Sequence, residues 1–93
     1  MAVKANKGGK GLRFDVDGVF IFAGLTPNTS CLVGSGIKLD DTGHIMTDLK
    51  LSTNIPGIFA SGDVRSGATK QVASAVGEGA TVAHSIREYL QNQ

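Results

Sequence analysis

A chain of 93 residues with 41% hydrophobic content sets a ceiling of one domain or part of one, and 13 glycines beside 5% aromatics predict many turns around few large core side chains. Nine basic residues nearly cancel eight acidic ones, for a net charge of +1, which argues against nucleic acid as a partner, and no apolar run approaches the roughly 18 residues of a membrane span. The lone Cys31 excludes an internal disulfide and lacks the nearby second thiol that a redox or zinc site needs.

In chain order, Met1 to Gly11 carries Lys4, Lys7 and Lys10 with no acid and is expected as a solvated, flexible basic tail. Its charged start with no apolar stretch after it reads as soluble, unexported and cytoplasmic. Leu12 to Val16 alternates as a half-buried strand does, and Gly18 either closes a turn or bends the strand. Val19 to Ala23 is continuously apolar and predicts a strand covered on both faces. Pro27 keeps Thr26 out of helical angles, so the chain turns or runs extended there, and Cys31 to Ile37 is ambiguous. Asp40 to Gly43 is a dense turn signal before a short strand candidate, His44 to Thr47.

Ser52 to Gly57 is a loop, followed by Ile58-Phe59-Ala60-Ser61-Gly62-Asp63, a buried strand whose C-terminal tip ends in a glycine and a carboxylate. A helix is predicted from about Lys70 to Leu90, with Val72, Val76, Ala80, Ala83, Ile86 and Leu90 forming one apolar stripe away from Glu78. Gly77 and Gly79 inside it suggest a close neighbour. The motif Gly77-Glu78-Gly79 is no cofactor loop, because no strand precedes it, and Gly8 to Gly11 lacks P-loop spacing. Neither His44 nor His84 has a visible catalytic partner, and Asp40-Asp41 lacks further ligands at calcium-loop spacing.

Two readings of Asp63 stand side by side. It is either an Asx-turn or helix-cap acceptor, or a carboxylate that receives a polyol hydroxyl beside the bare backbone of Gly62, with helix amides aimed at the same crevice.

Three blocks carry a specific likeness: Asp17 to Thr29, Thr53 to Arg65, and Lys70-Gln71-Val72 with Ala75 to Ala80. In order and spacing they resemble the C-terminal portion of a bacterial-type thioredoxin reductase, of the pyridine nucleotide-disulfide oxidoreductase family, over most of the chain from Asp17 onward. The resemblance implies an α/β fold, a partial Rossmann-like, three-layer FAD-binding domain of short strands with one long C-terminal helix. Residues 12–93 would be the C-terminal half of that discontinuous domain. It implies that Ile58 to Ala60 joins a parallel sheet, that Gly62 and Asp63 meet the ribityl chain of FAD, and that Gln71 and Val72 lie beside the isoalloxazine ring. Lys70 stands where the family often has arginine, keeping the charge without the planar fork.

What such a flavoprotein also needs is missing from these residues: a Gly-x-Gly-x-x-Gly unit, an NADPH domain and a Cys-x-x-Cys pair. Cys31 is at no matching position. The expectation is therefore a piece, inactive alone, of an enzyme passing electrons from NADPH through FAD to the disulfide of a thioredoxin-like acceptor. Its partner would be the remainder of the flavoprotein or a complementary chain. The alternatives are a non-catalytic module that self-associates, as a homodimer for instance, through an open strand edge, or the same segment of a ferredoxin- or peroxidase-linked reductase.

Overall fold

A computed structural model describes Met1–Gln93. Strand β1 (Ala2–Lys7) pairs antiparallel with β2 (Lys10–Asp15), Ala2 opposite Asp15 and Lys7 opposite Lys10. Gly8 and Gly9 both have positive φ, 60° and 81°, the backbone that a two-residue hairpin turn demands and that glycine adopts without strain. The expectation of an unstructured tail over residues 1–11 is thus corrected. The alternation seen from Leu12 continues backward through the turn, so that Val3 faces Phe14 and Ala5 faces Leu12.

The segment Val19 to Ala23 is the largest departure from expectation. Residues 17–28 make no backbone hydrogen bond, and Phe20, Ile21 and Phe22 are 85%, 84% and 91% exposed rather than covered on both faces. Phe20 and Phe22, two positions apart, stack with ring centroids 6.3 Å apart and planes nearly parallel. A doubly covered strand needs a ladder on each edge and layers on each face, and this chain supplies the segment with no ladder on either edge.

From Thr29 to Thr69 the chain folds into a lobe of turns and isolated bridges, with a short 3-10 turn at Ser30–Leu32. Leu39 bridges Ile45 antiparallel, Ile45 bridges Arg65 in parallel, and Ser52 bridges Phe59 antiparallel. Asp40 to Gly43 forms the expected turn, the Gly43 amide donating to the Asp40 carbonyl at 3.0 Å with Gly43 at φ 88°. Of His44 to Thr47, only Ile45 is bridged. Ile58 to Ala60 lies against Leu51 to Thr53, Ala60 donating to Leu51 and Thr53 to Ile58, so its pairing within this chain is antiparallel rather than parallel. On the other edge the Phe59 N–H and C=O bond to nothing in the chain.

Helix α1 (Val72–Gln91) closes the lobe. It starts two residues later than the apolar period suggested, because Lys70 is left-handed (φ 55°) and Gln71 extended. Its orientation is also unexpected: Ala75, Glu78, Val82, Ser85 and Tyr89 turn toward the lobe, Tyr89 meeting Phe59 edge-on at 6.0 Å. Gly57, at φ 85°, passes so close beneath the Tyr89 hydroxyl that a Cβ would stand 3.2 Å from it. The apolar stripe consequently points outward, with Val72, Val76 and Leu90 82%, 69% and 64% exposed, and nothing comes within 4 Å of where a Cβ on Gly77 or Gly79 would stand.

Only Thr29, His44, Ile45, Leu51, Ala60 and Ser85 are buried. The radius of gyration is 19.2 Å, against about 12 Å for a compact domain of this length. The chain is α/β, short strands with one long C-terminal helix, but it does not enclose a core of its own.

Candidate functional site

The tip that follows Ala60 is held by one carboxylate of α1. Glu78 Oε1 accepts the Gly62 amide at 3.2 Å and Arg65 Nε at 2.6 Å, while Oε2 accepts Arg65 Nη2 at 3.2 Å. Arg65 completes the clamp by donating Nη1 to the Ser66 carbonyl at 2.9 Å. Both side chains of the pair are about four-fifths buried. The Arg65 guanidinium, and next the Gly62 amide, hold the Glu78 carboxyl below the usual range, and Glu78 in turn raises Arg65. Gly62 sits at φ 84° with the place of its missing Cβ 3.8 Å from that of Ala75, so glycine serves the backbone and the helix approach here, and its amide already has a protein partner.

Pointing the tip this way leaves Asp63 free. Its side chain is exposed and makes no hydrogen bond or ion pair. It lines a crevice of about 330 Å³ with Leu25, Thr26, Pro27, Asn28, His44, Val64 and Lys70. An Asx-turn or a helix cap would have occupied that carboxylate, and α1 has no side-chain cap. Lys70 reaches the same crevice. Gln71 and Val72 do not line it but sit exposed at the start of α1, where the amides of residues 71–74 donate to nothing in the chain. The positive end of a 20-residue helix is therefore open beside the tip.

The wall behind Asp63 is a polar network that the sequence did not disclose. Asp40 Oδ1 accepts from the Thr42 amide (2.9 Å), the Thr42 hydroxyl (2.8 Å) and the His44 amide (2.9 Å), and Oδ2 accepts from the Ser66 hydroxyl at 2.6 Å. Those donors, Ser66 first, keep the carboxyl well below the usual carboxylate range. Both oxygens are thereby spent on the fold. His44, for which no partner was expected, lies with Nδ1 2.8 Å from the Thr42 hydroxyl and 3.7 Å from Asp40. Glu78 could have been noticed as a carboxylate off the apolar stripe, with a basic partner 13 residues earlier.

Comparison with known proteins finds likeness in both sequence and fold. Residues 2–79 match the family model described as pyridine nucleotide-disulphide oxidoreductase. The chain is 45% identical over 76 residues to a thioredoxin reductase of Listeria monocytogenes, covering 82% of this chain and 24% of that reductase. It is 40% identical over 74 residues to a thioredoxin reductase of Peptoclostridium litorale, covering 80% of this chain and 23% of that reductase. The crystal structure of T. acidophilum thioredoxin reductase superposes with a TM-score of 0.79 at 46% identity, over 91% of this chain and 27% of that one. The chain thus spans about a quarter of the length of the thioredoxin reductases it matches.

Proposed function

Since the chain belongs to the pyridine nucleotide-disulphide oxidoreductase family, we propose that residues 12–93 form the C-terminal half of an FAD-binding domain in a thioredoxin reductase-like flavoprotein, inactive without the remainder. The observation that carries this reading is Asp63, a carboxylate with no protein partner, facing a crevice at a strand tip. A crevice of about 330 Å³ suits the sugar-alcohol chain of FAD and not the whole cofactor, which agrees with a site completed by residues outside this chain. Asp63 accepts ribityl hydroxyls, and Lys70 brings a cation to the same crevice. The tip at Gly62 fixes where both stand. Gln71 and Val72 offer free amides at the open helix end, suited to negative charge on the flavin ring. When bound, FAD supplies electron transfer from NADPH to a disulfide, and the protein groups named here bind and orient it.

The remainder of the flavoprotein, or a complementary chain, is the partner that the open edges of Val19 to Ala23 and Phe59 and the outward stripe of α1 call for. No helix is long and apolar enough to cross a membrane, and the cytoplasm is the compartment proposed. The test is a chimera in which this chain replaces the stretch it aligns with in the Listeria monocytogenes reductase. The chimera retains FAD and reduces a thioredoxin disulfide with NADPH, Asp63→Asn weakens FAD at least tenfold, and the chain alone binds no FAD at micromolar concentration. Equal FAD affinity of the Asp63→Asn and unmodified chimeras would refute the assignment. A second reading, self-association without catalysis, is favoured by the same uncovered strand edge, and size-exclusion chromatography decides it, since a clean monomer counts against edge-driven pairing.

A further inference from the structure

His44 has a chemistry that the proposed function does not yet use. The Thr42 hydroxyl has one proton, and its 2.8 Å contact with the Asp40 carboxylate takes it, because two oxygens that close repel without a proton between them. The equally short contact between the Thr42 oxygen and His44 Nδ1 then requires Nδ1–H as donor. That chain of bonds fixes the imidazole plane and, in the neutral ring, leaves Nε2 as a bare acceptor. The side chain is only 9% exposed, yet His44 lines the crevice beside Asp63 and its Nε2 has no partner in the chain. Nor is Nε2 among the fully enclosed unpartnered atoms, a condition met by Thr47 Oγ1 alone, so it keeps some accessible surface in a residue that lines the crevice.

We propose that His44 is a second polyol-recognising residue of the crevice, its Nε2 accepting a hydroxyl of the same sugar-alcohol chain that Asp63 engages, with Thr42 and Asp40 as positioning residues; this rests on the flavin reading above. A carboxylate and an imidazole nitrogen on one wall select a ligand with neighbouring hydroxyls, and they give no comparable purchase on an apolar or purely anionic group. The charged group sharing the crevice with them is Lys70, which donates and so complements the two acceptors.

Two measurements test this. In the 93-residue chain, above the ordinary titration range of histidine, the imidazole ¹⁵N spectrum shows the His44 proton on Nδ1; a proton on Nε2 overturns the inference without any ligand. In the Listeria monocytogenes chimera, adding FAD moves the His44 Nε2 resonance, and Thr42→Val, which keeps the imidazole but frees its tautomer, weakens FAD about five- to tenfold, the range of one neutral hydrogen bond. FAD bound in an Asp63-dependent manner with the Nε2 signal unmoved overturns the role of His44 while leaving the flavin site standing. An unmodified chimera that binds no FAD removes both.

Discussion

Replacing Glu78 with alanine removes the carboxylate that ties the tip to α1, and the consequence is calculable from three bonds. The substitution strands the Arg65 guanidinium, about four-fifths buried, and the Gly62 amide. Hydrogen bonds to a charged group contribute about 1.5–3 kcal/mol, and breaking a fully buried ion pair costs about 3–5 kcal/mol. With a fifth of each side chain reaching solvent, and Arg65 keeping its bond to the Ser66 carbonyl, a loss of about 2–3 kcal/mol is expected. That equals roughly a 30- to 150-fold rise in local opening. The assay is amide hydrogen exchange at Ile45, Ala60 and Ser66, whose N–H groups bond across the lobe that the clamp closes. Arg65→Ala alone is expected to have a similar effect, and the double variant to lose less than the sum of the two. A fall in protection of less than threefold for Glu78→Ala, or strict additivity in the double variant, would refute the clamp.

Acid should release the same lobe. The carboxyls of Asp40, Glu78 and Glu88 are all lowered in the folded chain, Glu88 chiefly by its bond from Lys50. Their stabilisation is therefore complete above the ordinary carboxylate range near pH 4 and lost as pH falls through the lowered folded values; exchange protection constant down to about pH 5 and declining below is the expected profile. Asp63→Asn should leave exchange protection within about 0.5 kcal/mol of the parent, because Asp63 bonds to nothing in the chain, while FAD affinity of the chimera drops. Gly62→Ala should cost about 1–2 kcal/mol through its φ of 84° rather than through a clash, a Cβ there having 3.8 Å of room, as denaturant titration of the chimera would show. Phe22→Ser should not change exchange protection of the lobe, since Phe22 is 91% exposed, but should weaken any complementing or self-associating contact seen by analytical ultracentrifugation.

Local signals were legible in the sequence where they were self-sufficient. The Asp40 to Gly43 turn needs only its own side chain and a glycine, and α1 needs only its period, so both are readable to within two residues. The paired glycines at Gly8 and Gly9 carry a hairpin signal that the surrounding lysines obscure, since a run of like charge also marks a solvated tail. The strand-tip pattern singles out Asp63 and the family likeness Lys70, and the fold brings both to one crevice. The Arg65–Glu78 clamp and the Asp40–Thr42–His44 network could not, because each depends on which face of α1 or of a turn points inward, and that is settled by long-range packing. The apolar period of α1 identifies a helix but not its inward face: in this chain the mixed face of Ala75, Glu78, Val82, Ser85 and Tyr89 is the one that packs.

The outward stripe and the bare Val19 to Ala23 run have a common cause. A sequence that makes a doubly covered strand and an apolar helix stripe specifies two buried surfaces, and burying a Val, Ile or Phe side chain is worth about 1.5–3 kcal/mol each. Here Phe20, Ile21, Phe22, Val72 and Val76 realise little of it. The lobe nonetheless sets its own polar contacts, the clamp and the Asp40 network, without help from elsewhere. The division is physical: hydrogen-bonded turns at the tip close within the chain, whereas the apolar surfaces need a second body. On the proposed reading, a site whose acceptors the chain sets by itself and whose walls a partner supplies binds FAD only on assembly. Flavin fluorescence quenching that appears in step with association of the complementary segment, and not before it, is the result this ordering requires; quenching by the isolated chain at micromolar FAD would reverse it.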